Sequence, residues 1–117
     1  MNKKGPFNSH VLEEVGIRLQ QTLKDLHIIR DCWLMSFEPY YLPEEKYVLI
    51  SLWHEDQDDW GGRKWTKKAQ TYIETLLDTK LEKKKLYDID PKRKGSYEVL
   101  SITEAQMNAL YVILKPV

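Results

Sequence analysis

The chain has 117 residues, of which 42% are hydrophobic and 31% charged, and its 18 basic and 18 acidic side chains give a formal net charge of zero. This length suffices for one domain with its own core, and the composition excludes a disordered chain. No run approaches the ~20 apolar residues that a membrane-spanning helix needs, and no apolar stretch follows the charged start. We therefore expect a cytoplasmic protein that contacts no membrane.

The charge is divided unequally along the chain. Residues 1–60 contain 6 Lys/Arg and 11 Asp/Glu, whereas residues 61–117 contain 12 and 7. The sign changes within residues 53–65, where an acidic run, two glycines and a basic run follow one another. Such a separation steers an approaching partner and sets partner choice more than it adds affinity.

We predict a tail over residues 1–7 and a single domain over residues 8–117. The first helix begins at Asn8 or Ser9, which are both good N-caps. Gly16 lies beside its apolar face, which indicates that another element passes close to the helix; the alternative is that the helix merely tolerates a residue of low helix propensity there. The residues that recur at helical spacing and predict this face are Val11, Leu12, Val15, Leu19, Leu23 and Leu26.

Two strands are predicted next, over residues 28–37 and 47–53. The segment between them, residues 38–45, contains two prolines that cannot donate to a strand ladder, so we predict a wide loop. The second strand is apolar on both faces, which is typical of a central strand.

The second predicted helix covers residues 65–85, with Trp65 and Tyr72 on its apolar face. A polar connection over residues 86–95 leads to a third strand at 97–100.

The third helix is predicted from Ser101 and Glu104, which have the spacing of a capping box. A strand over residues 110–114 is the alternative there, because its residues favour β-structure. The predicted fold is α+β, with order α-β-β-α-β-α and a small, mainly antiparallel three-stranded sheet on which about three helices pack. The inward residues of the third helix are predicted to be Ala105, Ala109, Leu110 and Ile113.

No metal or catalytic motif is complete in this sequence. A calcium loop that began at Asp56 would place Trp60 at its fifth position and Lys67 at its twelfth, where a bidentate Glu belongs. The lone cysteine, Cys32, excludes a multi-Cys zinc site, and no nucleophile elbow, phosphate loop or dinucleotide motif occurs. We predict no metal, no cofactor and no catalytic residue; an enzyme that uses His54 is the weakest alternative.

The leading functional prediction is a non-enzymatic interaction or regulatory protein of the inhibitor, immunity or adaptor type. Two tyrosines and a leucine between Pro39 and Pro43 predict a stiff apolar contact surface on the loop, although the loop could instead fold back to cap the sheet. The charge separation could also drive self-association. The predicted partner-binding residues are Tyr40, Tyr41, Leu42, Glu55, Asp56, Asp58, Asp59 and Trp60.

Nucleic-acid binding is the competing prediction. Residues 63–94 contain 11 Lys/Arg and 5 Asp/Glu, with aromatic residues interspersed, as in grooves that bind nucleic acid. The zero net charge counts against it, since dedicated binders are usually basic. The residues predicted to contact nucleic acid are Arg63, Lys64, Lys67, Lys68, Lys84, Lys92 and Arg93.

Overall fold

The computed structural model of the chain describes residues 7–41, 46–54, 65–92 and 98–114, and at residues 53 and 54 it describes the backbone alone. The helices in this part are α1 (Ser9–Asp25), α2 (Lys67–Leu77), α3 (Leu86–Ile89) and α4 (Glu104–Ile113). The strands are β1 (Trp33–Tyr41), β2 (Lys46–His54), β3 (Lys83–Lys85) and β4 (Glu98–Thr103). All four strands pair antiparallel, in the order β1-β2-β4-β3. The α+β class is confirmed, but the described residues contain one strand and one helix more than predicted.

Helix α1 follows its predicted pattern. The Asn8 side chain accepts hydrogen bonds from the backbone N–H groups of His10 and Val11, which caps the helix. Leu26, predicted on the apolar face, lies beyond the last turn and is 52% exposed, because the chain turns away at His27, whose φ is 58°. The fully buried residues of the helix are Val15, Leu19 and Leu23.

Strand β1 begins later than predicted. Residues 28–32 form turns rather than strand, and backbone hydrogen bonds hold them, such as that from Trp33 N to Arg30 O at 3.0 Å. Local hydrogen bonding at the end of α1 therefore competes successfully with the strand preference of these residues.

Strand β1 also ends later than predicted. It continues through Tyr41 and includes Pro39, which lies opposite Val48 of β2. The predicted loop is wrong at residues 38–41, because an edge strand tolerates a proline whose missing N–H would have faced away from the sheet. Residues 42–45 lie outside the described residues.

Strand β2 is central, as predicted, and pairs with β1 on one side and with β4 on the other. It buries Val48, Ile50 and Leu52 in the main core, and Leu49 in a smaller cluster on the other face. Burial on both faces explains why its sequence does not alternate between apolar and polar residues.

Helix α2 begins at Lys67, two residues later than predicted, so Trp65 precedes it, and it ends at Leu77 rather than at residue 85. The Thr66 hydroxyl caps it by accepting a hydrogen bond from Ala69 N, and Asp78 ends it in the left-handed conformation, with φ 53°. The chain then turns back and buries Leu81. Residues 83–85 consequently form β3, and the predicted polar connection contains the short helix α3.

The third predicted strand is longer than expected, and the last helix starts later. Strand β4 extends to Thr103, whose side chain accepts from Gln106 N while the Gln106 side chain accepts from Thr103 N. The capping box is therefore Thr103–Gln106 and not Ser101–Glu104. The segment after it is helical, so the alternative strand at 110–114 is wrong.

The inward face of α4 differs from the predicted one. Leu110 is buried as expected, together with Met107 and Leu114. Three residues that were predicted to face inward, namely Ala105, Ala109 and Ile113, are exposed. Apolar residues lie all round this helix, so its periodicity could not select one face.

Helices α1, α2 and α4 enclose the main core with one face of the sheet, and α3 covers a small cluster on the other face. Trp65 is 4% exposed and donates its indole N–H to Ile50 O, as befits a buried tryptophan. Phe7, which the predicted tail includes, is 7% exposed. No helix in the described part of the chain has the length and apolar character needed to cross a bilayer.

Candidate functional site

An open groove of about 410 Å³ runs between α1 and the edge strand β1. Helix α1 forms one wall, and two side chains of β1 form the other. The residues that line the groove are Ser9, Leu12, Glu13, Gly16, Ile17, Gln20, Met35 and Phe37.

Gly16 allows α1 to pack close to β1 in this groove. A Cβ atom at Gly16 would lie 3.3 Å from Phe37 Cδ1, closer than ordinary van der Waals contact. The absence of a side chain lets α1 approach the Phe37 ring. The prediction that another element passes close to Gly16 is therefore confirmed, and β1 is that element.

The hydrogen-bonding groups of β1 face the groove at alternate residues. Met35 N donates to Gln20 Oε1 of α1 at 2.7 Å, so this N–H points away from β2. In an antiparallel strand the N–H and C=O groups of successive residues point alternately to the two sides. The backbone groups of Phe37 and Pro39 therefore also point away from β2, although Pro39 has no N–H to donate.

Four of the eight residues that line the groove are apolar, two are polar and one is charged, the eighth being Gly16. Leu12, Ile17, Met35 and Phe37 supply the apolar surface, and Ile17 is 57% exposed. Glu13 carries the one charge among the lining residues. A ligand that combines apolar side chains with a positive charge matches this surface.

Tyr40 and Tyr41, predicted to form one contact surface, lie on opposite faces of the sheet because they are successive strand residues. The Tyr41 hydroxyl accepts a hydrogen bond from Phe7 N at 3.1 Å, and the two rings pack with centroids 5.6 Å apart. Lys46 lies over the Phe7 ring at 5.0 Å and forms an ion pair with Glu104 at 3.0 Å. Tyr41 therefore helps to hold Phe7, just before α1, near the start of α4.

Tyr40 packs on the other face, against the small cluster that α3 covers. This arrangement resembles the predicted alternative, in which the segment caps the sheet. The other predicted partner-binding residues, Leu42, Glu55, Asp56, Asp58, Asp59 and Trp60, lie outside the described residues.

The predicted nucleic-acid contacts that lie among the described residues are exposed but do not share one face. Lys67 and Lys68 lie in the first turn of α2, Lys84 in β3, and Lys92 after α3. Within β3, Lys84 pairs with Val99, while its neighbours pair with residues on the other face of β4. Arg63, Lys64 and Arg93 lie outside the described residues.

Lysines in an edge strand also have a structural role. Strand β3 is the second edge of the sheet, and all three of its residues are exposed lysines. Lysine side chains on a short edge strand oppose pairing with another chain. This role accounts for β3 without a nucleic-acid partner.

Glu74 holds the segment that leads into β3. Its carboxylate accepts hydrogen bonds from Leu81 N at 2.8 Å and from the Gln70 side chain at 3.2 Å. The bond from Leu81, followed by the Gln70 bond and nearby Lys80, lowers the pKa of Glu74 below its ordinary value of 4.5 despite partial desolvation. Glu74 thereby positions an edge strand, and its perturbed pKa has a structural cause.

Among the described residues, no group of three or more His, Cys, Asp or Glu side chains could hold a metal ion. The His54 side chain and the acidic segment at residues 55–59 lie outside the described part of the chain. The chain matches no known protein family, no curated protein and no solved structure.

Sequence patterns did not single out the groove. Ile17 and Gln20 lie off the predicted apolar face of α1, and Met35 and Phe37 were placed only as strand residues. Two signals pointed to it, namely the glycine beside the apolar face and an isoleucine among polar neighbours on the outer side of the same helix.

Proposed function

We propose that this chain is a cytoplasmic, non-enzymatic protein-interaction domain that binds an extended segment of a partner protein along β1, in the groove beside α1. The observation that carries the proposal is the juxtaposition of outward-facing strand groups with a partly apolar groove of about 410 Å³. An extended segment that joins a sheet edge gains main-chain hydrogen bonds, and neighbouring pockets receive its alternate side chains.

Pro39 and the hydrogen bond from Met35 N to the Gln20 side chain support a docking site that covers only a short stretch of β1. Both occupy outward positions of β1, on either side of Phe37. A partner strand would pair around Phe37 and displace or bypass the Gln20 side chain. This arrangement disfavours indiscriminate edge pairing while leaving one stretch available.

The lining defines the chemistry of the partner. Leu12 and Ile17 favour apolar side chains at alternate positions of the bound segment, and Glu13 favours Lys or Arg next to them. We therefore expect a β-prone segment with alternating apolar residues and at least one basic residue.

A displayed library of random, unstructured peptides about 12 residues long tests this directly, because about four to six residues suffice to form a strand. Peptides selected on the protein should contain the alternating apolar and basic pattern. Ile17→Asp should weaken their binding about tenfold or more, as expected for a residue central to an interface. Fluorescence anisotropy with labelled peptides measures the change.

Val112→Asp is the matched control, because Val112 is also an aliphatic helix residue and is 59% exposed against 57% for Ile17. N-methylation of the peptide backbone should weaken binding at every second residue, since only alternate N–H groups join a ladder. Failure to select any peptide, equal binding by Ile17→Asp, or an N-methylation profile without a two-residue period would contradict the proposal.

A further inference from the structure

The outward-facing backbone N–H positions of β1 differ in what they bond to. Trp33 N donates to a carbonyl of the preceding turn at 3.0 Å, and Met35 N donates to Gln20 Oε1 of α1 at 2.7 Å. Pro39 has no N–H, and Phe37 N forms no hydrogen bond within the described part of the chain. Between residues 33 and 39, a partner strand therefore meets one open donor at Phe37 and a second donor that Gln20 already holds.

The Gln20 side chain occupies the position that a carbonyl of a partner strand would take. Its Oε1 lies as close to Met35 N as the acceptor of a ladder bond does. The orientation of the amide follows from its chemistry, because a backbone N–H donates and only the oxygen of a side-chain amide accepts. A segment that pairs at Phe37 and continues two residues along β1, about 7 Å, reaches the place where Gln20 lies.

The packing of α1 on β1 brings Gln20 to this place. Gly16 and Gln20 are about one helical turn apart, or about 6 Å along the axis. Phe37 and Met35, against which they lie, are about 7 Å apart along the strand. The two spacings nearly match, so the close approach at Gly16 sets Gln20 beside Met35. Gln20 is also partly buried in the lining of the groove, which limits its other positions.

We propose that the hydrogen bond from Met35 N to Gln20 is a lock on the docking site, and that a backbone carbonyl of the bound segment replaces Gln20 Oε1. This inference rests on the proposed function and makes Gln20 its specificity-determining residue. A segment that displaces Gln20 pairs with donors at both Phe37 and Met35, whereas a segment that stops short pairs with the first alone. The lock therefore selects segments long and regular enough to complete the ladder.

Shortening the Gln20 side chain should tighten binding. Gln20→Asn keeps the amide but removes one methylene group, so its oxygen no longer reaches Met35. A peptide selected on the wild-type chain then has no internal competitor and should bind about two- to tenfold more tightly, which fluorescence anisotropy measures. Gln21→Asn makes the same chemical change on the exposed side of α1 and should leave the affinity unchanged.

Gln20→Ala separates the lock from the polarity of the groove. It also removes the competing oxygen and should tighten binding by a similar factor. A gain in Gln20→Ala without a gain in Gln20→Asn would assign the effect to a more apolar lining and would overturn the lock. A structural role alone predicts the opposite direction, because loosening α1 would disorder the groove and weaken binding in both variants.

Shortening the peptide by two residues from either end locates the effect. At the end that reaches Met35, shortening should abolish the difference between Gln20→Asn and the wild-type chain. At the other end, towards Pro39, the difference should remain. In the free wild-type protein the Met35 amide should be better protected from hydrogen exchange than the Phe37 amide, and Gln20→Asn should remove this protection.

The outcomes distinguish failure of the lock from failure of the docking site. Unchanged or weaker binding in both Gln20 variants, a gain that is insensitive to the end shortened, or equal protection of the Met35 amide in Gln20→Asn and the wild type would overturn the lock and leave the docking site in place. Failure to select any peptide would remove the docking site, and the lock with it.

Discussion

The two edges of the sheet are protected in different ways. Strand β3 is three residues long and consists of exposed lysines, so every position opposes pairing. Strand β1 is nine residues long, and its outward groups are blocked at Met35 by Gln20 and at Pro39 by the missing N–H. Within the described residues, lysines therefore protect all of the β3 edge, whereas the β1 edge has neither a proline nor a side-chain hydrogen bond at Phe37.

Ser36→Pro tests whether the N–H groups of β1 point alternately towards β2 and away from it. We expect it to lower the free energy of unfolding more than any other substitution considered. Ser36 lies opposite Ser51 and alternates with Met35, so its N–H faces β2. Proline at position 36 removes a hydrogen bond between β1 and β2, whereas Pro39 removes none because its missing N–H would face away from β2. We expect a loss of at least about 2 kcal/mol in the free energy of unfolding. Urea denaturation measures it.

Ser36→Ala is the control for this substitution, since it keeps the N–H and should cost under about 1 kcal/mol. Equal stability of Ser36→Pro and Ser36→Ala would show that position 36 faces outward and that the assigned alternation is wrong.

Gly16→Val tests how firmly α1 is seated on β1. The new Cβ would lie 3.3 Å from the Phe37 ring, and the γ-methyl groups would crowd it further. We expect a loss of about 1–3 kcal/mol from overpacking, measured by thermal or urea denaturation. Valine has a higher helix propensity than glycine, so helix propensity does not account for a loss. Gln21→Val, on the exposed side of the same helix, is the control for a β-branched side chain, and a loss no greater than that of the control would argue against a fixed Gly16–Phe37 contact.

Replacing all three β3 lysines by threonine should remove the protection of the other edge. We expect the free energy of unfolding to change by about 0.5 kcal/mol or less per site, because the side chains are exposed. The concentration at which the protein begins to associate should fall, as light scattering would detect. The double variant Lys67→Thr/Lys68→Thr removes charge away from the edge, and an equal effect in that variant would assign the result to net charge.

The same triple variant also separates edge protection from nucleic-acid binding. Fluorescence anisotropy with a single-stranded oligonucleotide at low salt should show no difference between the wild-type chain and the variant if the lysines act only at the edge. Binding that weakens with salt and is lost in the variant would instead support the nucleic-acid alternative.

The smallest expected effect concerns Glu74, which holds the start of β3. Its pKa is lowered in the folded state, so its contribution to stability is present above its ordinary pKa of 4.5 and is lost as the pH falls through the lowered value. Glu74→Gln should therefore lose less stability than the wild-type chain as the pH falls from about 5 to about 3. Urea denaturation at each pH measures this, with Glu82→Gln as an exposed control; parallel curves for Glu74→Gln and the wild type would contradict it.

Part of the fold was predictable because local and tertiary preferences agree. The apolar spacing of α1, the N-cap at Asn8 and the central position of β2 were all evident from residue patterns. Gly16 even indicated a neighbouring element, although the pattern could not say which one. The groove itself could not be predicted, because its two walls come from elements that only the folded chain brings together.

The sequence by itself determined the α+β class, the buried stripe of α1 and the two-sided burial of β2, because burial in each case imposes a periodicity that the chain carries locally. Tertiary structure alone decided three further points. Pro39 stays in a strand because its missing N–H faces outward. Helix α2 stops at Leu77, where Gln70 and Glu74 bind the backbone of Leu81, and α4 buries Met107 rather than Ala109. These outcomes depend on the direction of a hydrogen-bonding group or on the choice between two apolar faces. Neither is fixed until neighbouring elements are in place.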